Sequence, residues 1–552
     1  MKALVEQQVS FARGMQDTSA PSEFRSDEVE LLLNGRVSFL GNSIDRRGGS
    51  AKSHTSALNS GAQGYGAKEF STAAGAQQLC VFVGDKFYYS TNEGVSWTQA
   101  ATGLSTAYWD MVQMRVGSAN YLVCVNGSTN AYYWDGATWG TLSNAPSGAK
   151  YAAVFNDRLY LGGHSGVTIA ACAVGNPNVW ANPSGFSVEF TTHDGEQEIT
   201  GLYQIGPILM AFKRESTGYL EGFGFQTLEV EAGGRGLSRS VGLLGFRSVA
   251  AAGEQGVCWL AERGFVYYAV GGQIQLISRP IQSFLDTISW TNIKDGSGIP
   301  TSLYWPQKNE YWCALPSASG QNDYVFRWRP PTASSRPCIM LDKHGVDGES
   351  SVFVGSDGNL QIQGDLSRDQ VRVASGNMII ASTGMYTEVT SGNLTLAQAA
   401  HDHAALFSAD RDTEEEISAP WSLGYDGFIR KLDVGNTDNA TDPLRDDGNA
   451  VSMRVKTRPM LFKDQLRKKR LRTFRVASSQ DAESTLIVVP KYDGSSGTAK
   501  TLTMPVTQSG KASSVKSRTS VKGYALQLDI STSEKVSVGA VEVIAEALRQ
   551  GY

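Results

Sequence analysis

Short β-type runs that end in Gly, Asn or Asp turns recur along this chain and restrict what it can fold into. Runs rich in aromatic residues follow the turns, as in LCVFVGDKFYYS, YAAVFNDRLYLGG and GVCWLAERGFVYYAVGG. The spacing of the turns scatters around the ~40 to 50 residues expected of propeller blades. Their centres fall near residues 84, 127, 156, 214, 263, 307 and 356. Since a four-stranded blade needs stacked neighbours to cover its apolar faces, the pattern predicts a mainly β fold built on a β-propeller.

The composition agrees with many short strands and sets limits on function. The chain has 59 glycines, 41% apolar and 10% aromatic residues, which suit tight turns and a substantial core. The net charge of −5 does not indicate a nucleic-acid binder held by bulk positive charge. No apolar run approaches the roughly 20 residues that span a bilayer. The N-terminus lacks the apolar region of a secretory signal, so we expect the protein to form in a cytoplasm.

One turn carries a sharper signal. Ser90-Thr-Asn92-Glu-Gly94-Val-Ser-Trp97 resembles the Asp-box of sialidase-type propellers, with Asn in place of the Asp. The Ser and Asn side chains can accept hydrogen bonds from nearby amides, and Gly94 permits a positive φ. The predicted role of Ser90, Asn92, Gly94 and Trp97 is structural, since an Asp-box by itself says nothing about catalysis.

Changes in composition and in the pattern of apolar residues divide the chain into four regions. Residues 1–75 form an N-terminal segment that contributes to a platform domain, with a short helix predicted after Ser26. Residues 76–370 form the propeller. Residues 371–450 form an irregular insertion, with a short helix around 395–407 and an acidic loop. Residues 451–552 alternate again, which predicts a second, small β-domain formed by C-terminal strands, either alone or together with N-terminal ones.

The six cysteines lie far apart, and the chain contains no CxxC pair. Four of them, Cys80, Cys124, Cys258 and Cys313, sit inside apolar strand-like runs, where a thiol acts as a small hydrophobic side chain. No cofactor and no metal site is predicted. His401 and His403 supply two imidazoles, whereas zinc needs three or four ligands. The acidic run Asp410, Asp412, Glu414, Glu415 and Glu416 lacks the EF-hand spacing and is expected to be a solvated loop.

The order of motifs between residues 151 and 310 resembles a known family. RLYLGG, NPNVW, ITGL, FKRES, LAERGFVYY and ISRPIQSFLD follow one another as in the propeller of tail nozzle, tail tubular and packaged-DNA stabilisation proteins of short-tailed bacteriophages. The flanking segments LLLNGRVSFLG, VKTRPMLF and LRKKRLRTFRV also look like those that flank that propeller. The resemblance covers about three quarters of the chain, and the order of its motifs carries it.

The resemblance implies a non-enzymatic virion protein of the phage tail. Subunits of that family form a ring, six-fold in symmetry, at the distal end of the tail. The ring is assembled in the host bacterial cytoplasm onto a tail adaptor or tubular protein, with tail fibres or spikes attached nearby. Viral DNA passes through its lumen without sequence specificity, so the implied function is a conduit and gate during genome retention and ejection. We expect no membrane-spanning segment.

A cluster of cations is the most conspicuous charge feature. It comprises Lys463, Arg467, Lys468, Lys469, Arg470, Arg472 and Arg475. These residues could contact DNA or an acidic partner. Alternatively, they protect an exposed strand edge or form salt bridges between subunits.

Two further classes of function stay open from the sequence. A receptor- or glycan-binding propeller of the tail periphery could stack sugars on Tyr132, Tyr133, Trp134 and Trp139, which would otherwise form blade core. A sialidase-like glycoside hydrolase would need several Asp-boxes and a marked pair of carboxylates, and the sequence shows neither. No GxSxG, HExxH or P-loop motif occurs. An enzyme is therefore not predicted.

Overall fold

A computed structural model describes residues 3–547 with gaps at 21, 129, 192–196, 222–234, 254–255, 297, 318–320, 333–335, 344–350, 355–359, 364–370, 374–377, 381–386, 390–393, 397–402, 411–417, 435–444, 447–448, 463–466, 481–482, 508–512 and 535. The described residues are predominantly strands, and most of these belong to small antiparallel sheets. The mainly β fold predicted from the sequence is confirmed.

Six four-stranded blades follow one another along the chain. Blades 1 to 3 comprise Gly64–Ser71, Gln77–Val83, Lys86–Ser90 and Thr98–Ala101; Asp110–Val116, Ala119–Val125, Tyr132–Trp134 and Trp139–Thr141; and Tyr151–Phe155, Arg158–Gly162, Thr168–Ala171 and Phe186–Glu189. Blades 4 to 6 comprise Ile199–Ile205, Ile208–Lys213, Thr217–Glu221 and Arg235–Ser238; Ala250–Ala251, Gly256–Ala261, Gly264–Ala269 and Gln275–Leu276; and Thr301–Trp305, Glu310–Pro316, Asn322–Arg329 and Cys338–Lys343. The first six predicted turn centres fall one in each of these blades, between neighbouring strands.

A seventh blade is assembled from distant parts of the chain. Its strands His403–Asp410, Ser418–Gly424 and Ile429–Val434 are completed by Gly49–Lys52, the closing strand, which pairs antiparallel with Ile429–Val434. Two short strands, Arg445–Asp446 and Asn449–Ala450, extend the same sheet. An N-terminal strand therefore completes the blade that lies between the last and the first sequential blades.

The innermost strands of the blades contact one another in a closed circuit. Gly64–Ser71 contacts Asp110–Val116, which contacts Tyr151–Phe155 and through it Ile199–Ile205. Blade 4 contacts the turn Phe246–Ser248, and blade 5 contacts Thr301–Trp305 of blade 6. His403–Asp410 contacts both Thr301–Trp305 and Gly64–Ser71, which closes the circuit. The described strands of the blades lie within residues 64–343, 403–434 and 49–52, whereas the propeller was predicted in 76–370.

Hydrophobic clusters fill the spaces between adjacent blades. The cluster between blades 1 and 2 is strongly aromatic, with the Phe82 and Trp109 rings stacked at 4.2 Å between centroids. Smaller apolar clusters join blades 2 and 3, blades 3 and 4, and blades 4 and 5. Others join blade 6 to blade 7 and blade 7 to blade 1. Between blades 5 and 6, Phe265 stacks on Phe326 at 4.0 Å between ring centroids. Each blade thus buries its faces against its two neighbours, which is the arrangement that a propeller requires.

Strands from both ends of the chain build two further sheets, here named the platform. The first contains Ala3–Gln8, Gly35–Val37, Ile44–Arg46, Ser537–Ala547, Lys469–Ser479 and Ser513–Gly523. The second continues the sheet of blade 6 with Gly14–Met15, Glu28–Leu33, Met453–Thr457, Leu526–Thr532, Ser484–Tyr492, Ser495–Ser496 and Lys500–Met504. Buried residues of the two sheets, such as Phe474, Val543, Val488 and Ile530, belong to one apolar core. The predicted second β-domain therefore uses N-terminal as well as C-terminal strands.

Helical structure is scarce among the described residues. The α-helices are Gln282–Leu285 and Trp290–Asp295, and the 3₁₀ turns are Leu58–Gly61, Phe246–Ser248, Arg279–Ile281 and Pro306–Lys308. The helix predicted after Ser26 is wrong: Glu28–Leu33 is a strand, because it pairs with Met453–Thr457 and buries Val29 and Leu32. This tertiary pairing overrides the helix propensity of Leu and Glu.

The region 351–410 also differs from its prediction. Strands Leu394–Leu396 and His403–Asp410 lie where a helix around 395–407 was expected. Ser351–Val354 pairs antiparallel with Leu360–Gln363 outside the blades, and Met378–Ile380 and Leu394–Leu396 add to the same sheet in parallel. A separate parallel pair joins Val371–Val373 to Thr387–Val389. Triplets such as Met-Ile-Ile and Leu-Thr-Leu are β-type sequences, which favours these short strands over a helix.

Candidate functional site

The axis of the propeller holds a cavity of about 730 Å³. Residues from all seven blades, or from the turns that lead into them, line this central channel. Its polar lining includes Lys68, Asp110, Gln204, Arg247 and Tyr304. Because the inner strands are sheet edges, the channel wall also carries backbone groups that need partners from outside their own sheet.

Side chains of one blade satisfy the free inner edge of the next. Lys68 Nζ of blade 1 donates to the Met111 carbonyl of blade 2 at 2.8 Å. Asp110 Oδ2 of blade 2 accepts from the Ala152 amide of blade 3 at 2.9 Å. Thr301 Oγ1 of blade 6 accepts from the Leu406 amide of blade 7 at 3.2 Å. These bonds couple the blades through the channel wall, so they give these polar side chains a structural role.

Burial and neighbouring charges act together on the ionisable groups of the channel. Burial lowers the pKa of Lys68, and the nearby carboxylate of Asp110 opposes that change. Burial raises the pKa of Asp110, while hydrogen bonds from backbone amides and the charge of Lys68 oppose that change. Burial likewise lowers the pKa of Arg247, whose guanidinium lies 5.7 Å from the centroid of the Tyr108 ring. The channel therefore contains charges of both signs rather than a one-sign funnel.

The Asp-box residues lie together in a closed turn. Ser90 Oγ accepts from the Gly94 amide at 2.9 Å, and Asn92 Oδ1 accepts from the Ser96 amide at 3.0 Å. Gly94 has a φ of 77°, and Trp97 Nε1 donates to its carbonyl at 2.8 Å. The Asn92 side chain thus accepts the hydrogen bond from the Ser96 amide at the position where an Asp-box has an Asp carboxylate. Unlike that carboxylate, the amide of Asn92 carries no charge.

This turn also contacts blade 7. Glu93 and Lys431 form an ion pair at 2.9 Å, and the Trp97 ring packs against the apolar cluster between blades 7 and 1. A Cβ on Gly94 would lie 2.8 Å from Ser53 Oγ, just after the closing strand. The Asp-box therefore lies where the propeller closes.

A buried charge cluster, which the sequence analysis missed, joins the platform to blades 6 and 7. Arg36 Nη1 of the platform donates to Asp433 Oδ2 of blade 7 at 2.5 Å. Asp433 Oδ1 also accepts from the Gly48 amide at 2.9 Å, just before the closing strand. In blade 6, Arg327 pairs with Asp342 at 3.1 Å, and Arg329 pairs with Glu310 at 2.9 Å. Charged residues within apolar runs such as DYVFRWRP and CIMLDK are the sequence signal for such a cluster.

The structure separates the predicted cationic cluster into several environments. Lys463 lies outside the described residues, and Arg467 and Lys468 are exposed. Lys469 is buried and donates to the Tyr524 carbonyl at 3.1 Å. The three remaining arginines pair with carboxylates of Ser537–Ala547: Arg470 and Arg472 with Glu546, and Arg475 with Glu542 at 3.5 Å.

The aromatic residues considered for sugar stacking make contacts within blade 2 and with blade 1. Trp134 is buried and donates from Nε1 to Gln78 Oε1 at 2.8 Å. Tyr132 stacks on Trp139 at 5.3 Å between centroids, and Tyr133 stacks on Tyr121 at 4.3 Å. These side chains therefore contribute to the blade and its interface with blade 1.

Several other predicted residues lie partly or wholly outside the described residues. His401, Asp412 and Glu414–Glu416 belong to this group, while His403 and Asp410 lie at the two ends of one strand of blade 7. Within the described part of the chain, no group of three or more His, Cys, Asp or Glu side chains is arranged to hold a metal ion. All six cysteines are free and buried. In the same part of the chain, no helix has the length and apolar character needed to cross a membrane.

Three solved structures illustrate how this chain resembles known proteins, each at low identity and low TM-score. No protein-family model and no curated protein matches the chain. A chain of the mitotic checkpoint complex aligns at 11% identity and a TM-score of 0.33, over 53% of this chain and 81% of that one. YCF48 from Cyanidioschyzon merolae aligns at 13% identity and a TM-score of 0.27, over 35% and 64%. The extracellular domain of a putative hybrid two-component system from B. thetaiotaomicron aligns at 10% identity and a TM-score of 0.36, over 74% and 51%.

Proposed function

We propose that this protein is a non-enzymatic structural component of a phage tail, in which copies of the chain form a nozzle ring around the path of the DNA. The support is the order of motifs between residues 151 and 310 together with the pairing of the two segments that flank them. The N-terminal strand Glu28–Leu33 pairs with the C-terminal strand Met453–Thr457, with Leu32 opposite Val455. This pairing is the observation that carries the proposal, because it joins both chain ends into one platform beside the propeller.

The construction of the molecule suits a stiff wall. Adjacent blades are linked by apolar clusters and by side-chain bonds along the channel wall, and the closing strand connects the last blade to the platform. A wall of this kind resists deformation because close-packed interiors have low compressibility. In the proposed ring, DNA passes through the axial lumen that the subunits enclose, and the central channel of each propeller has a structural role. Catalysis forms no part of the proposed function.

The proposal is tested by locating the protein in intact virions. Cryo-electron microscopy of the tails should show a closed ring of this chain, six-fold in symmetry, on the tail axis at its distal end. A depletion control, virions assembled without the protein, should lack that density and lose packaged DNA. Density at the periphery of the tail, or virions that keep their DNA without the protein, would contradict the proposal.

A further inference from the structure

The platform presents a long strand with an unusual row of cations. Ser513–Gly523 is the last strand of the first platform sheet and pairs, among the described residues, with Lys469–Ser479 alone. Its sequence SSVKSRTSVKG alternates, so Lys516, Arg518 and Lys522 point to the same face. All three side chains are exposed, and none forms an ion pair with a carboxylate of the described residues. We name this row the edge strip.

Neighbouring residues increase the positive charge of this face. Lys516 lies opposite Arg475, and Lys522 lies opposite Arg470. These arginines, with Arg472, share only the carboxylates of Glu542 and Glu546. Six cations and two anions therefore lie on one face of three adjacent strands. Exposed Ser514 and Ser520 lie in the same row as the cations and supply hydroxyl donors.

The C-terminal region that contains the edge strip is also basic as a whole, whereas the rest of the chain is acidic. Residues 451–552 contain 18 Lys and Arg against 8 Asp and Glu, whereas residues 1–450 contain 31 against 46. The net charge of −5 thus combines a strongly basic C-terminal region with an acidic remainder. Such an asymmetry indicates a polyanionic partner for the basic part.

We propose that the edge strip is a contact surface for the phosphate backbone of nucleic acid. Alternate residues of a strand lie about 6.8 Å apart, so Lys516 and Arg518 are separated by about twice the 3.4 Å axial rise per phosphate of a DNA strand. A regular row of cations and hydroxyls, without aromatic side chains between them, can contact phosphates without reading bases. This proposal rests on the proposed function, since it identifies the surface at which the ring touches DNA.

The size of the strip suits a conduit. Three neutralised phosphates give a dependence of log K on log salt of about −2.7 on duplex DNA, whereas six to ten contacts give tight and steeply salt-dependent binding. A strip of three cations therefore gives each single subunit a weak and salt-sensitive contact with DNA. Charge on an edge strand also blocks pairing with other strands, and the experiment must separate these two roles.

The test uses the full chain and a fluorescein-labelled 20-base-pair duplex of arbitrary sequence. Binding is followed by anisotropy between 25 and 200 mM salt, with the wild type compared to the triple variant Lys516→Thr, Arg518→Thr and Lys522→Thr. Threonine keeps the β propensity of the strand. The matched control is Arg115→Thr, Lys150→Thr and Lys308→Thr, which removes three exposed propeller cations. Circular dichroism verifies that each variant is folded, and single variants provide a second series if the triple variant is not.

We expect the triple variant to lose affinity by about 10- to 100-fold at low salt and its slope to become shallower by about 2.7, or by about 0.9 for each single variant. The control should change neither value. Equal binding by wild type and triple variant, or no binding by the wild type at low salt, would overturn the proposal. Self-association of the triple variant with unchanged DNA affinity would also overturn it, because the cations would then only protect the edge. If virions contain axial rings of this chain but the edge strip does not bind DNA, only this inference is refuted. If the edge strip binds DNA but virions contain no axial ring, the proposed function is refuted.

Discussion

The ion pair between Arg36 and Asp433 gives a sharp prediction about how the propeller is closed. The two side chains are 16% and 8% exposed and lie 2.5 Å apart, and Asp433 also accepts from the Gly48 amide. Burial by itself lowers the pKa of Arg36, but the nearby carboxylates of Asp433, Glu310 and Asp342 have the larger, opposite effect. The pKa of Arg36 therefore lies well above its usual range. Removing one partner of a buried pair typically costs about 3 to 5 kcal/mol, because a buried charge is left uncompensated. Asp433→Ala should therefore destabilise the junction of the platform, the closing strand and blade 7 by about that amount.

Hydrogen exchange measures this effect locally. In Asp433→Ala, amide protection that depends on opening of the junction should fall by about 100- to 4000-fold in peptides that cover residues 49–52 and 429–434, since 1.4 kcal/mol corresponds to a factor of ten. Asp433→Asn should lose less, because Asn can accept from Gly48 and tolerates the φ of 53° at this position. The double variant Arg36→Met with Asp433→Asn should recover part of the protection.

The matched control is the exposed pair of Lys294 with Glu262, which has a similar distance of 2.8 Å but side chains 39% and 54% exposed. Glu262→Ala should change stability by at most about 1 kcal/mol. Less than a tenfold loss of protection in Asp433→Ala, or a double variant as unprotected as Asp433→Ala, would refute the reasoning that an uncompensated buried charge governs this junction.

Three further predictions concern other parts of the molecule. Ser90→Ala removes the oxygen that accepts from the Gly94 amide, so the urea midpoint should fall by the equivalent of about 1 to 3 kcal/mol, and an unchanged midpoint would contradict the structural role of the Asp-box. Burial raises the pKa of Asp323 from 3.8 to about 6, so its contribution to stability is fully present below pH 3.8 and is lost as pH rises through 6. The effect of Asp323→Asn on the free energy of unfolding should consequently be more stabilising at pH 8 than at pH 3.5, by up to about 3 kcal/mol. An effect that is the same at both pH values would contradict this explanation. The six buried thiols should react with a thiol reagent only after the protein is denatured, and rapid labelling of native Cys313, whose pKa burial raises to about 12, would contradict their burial.

Much of the propeller was predictable because its signals are local. Hairpin turns such as those at Gly84 and Asn156 fix neighbouring strands through positive φ values, and six turn centres identified six blades. The seventh blade was not predicted, although Gly427, with a φ of 71°, marks a similar turn between two of its strands. Its closing strand pairs Lys52 with Arg430, and nothing in either segment alone indicates the other. The same limit explains the error after Ser26, where a partner from the C-terminal region decides the structure of EVELLL.

The candidate site was predictable in part for related reasons. The Asp-box is a local turn, and its residues lie together as its sequence suggests. The cationic cluster was read as a continuous run, although alternation along a strand places Lys469 inside and Arg470 outside. The carboxylates of Glu542 and Glu546 oppose it only through strand register, which the sequence does not show. The net charge of the whole chain does not indicate the edge strip, because the acidic remainder of the chain outweighs the basic C-terminal region.

The most direct test of the account is a cryo-electron microscopy reconstruction of the purified full chain under conditions that favour assembly. The account predicts a closed ring with an open axial lumen, formed by subunits whose propellers are completed by Gly49–Lys52 and whose platforms contain strands from both chain ends. A protein that remains monomeric at all concentrations and in the presence of its tail partner, or subunits that assemble without enclosing a lumen, would contradict it.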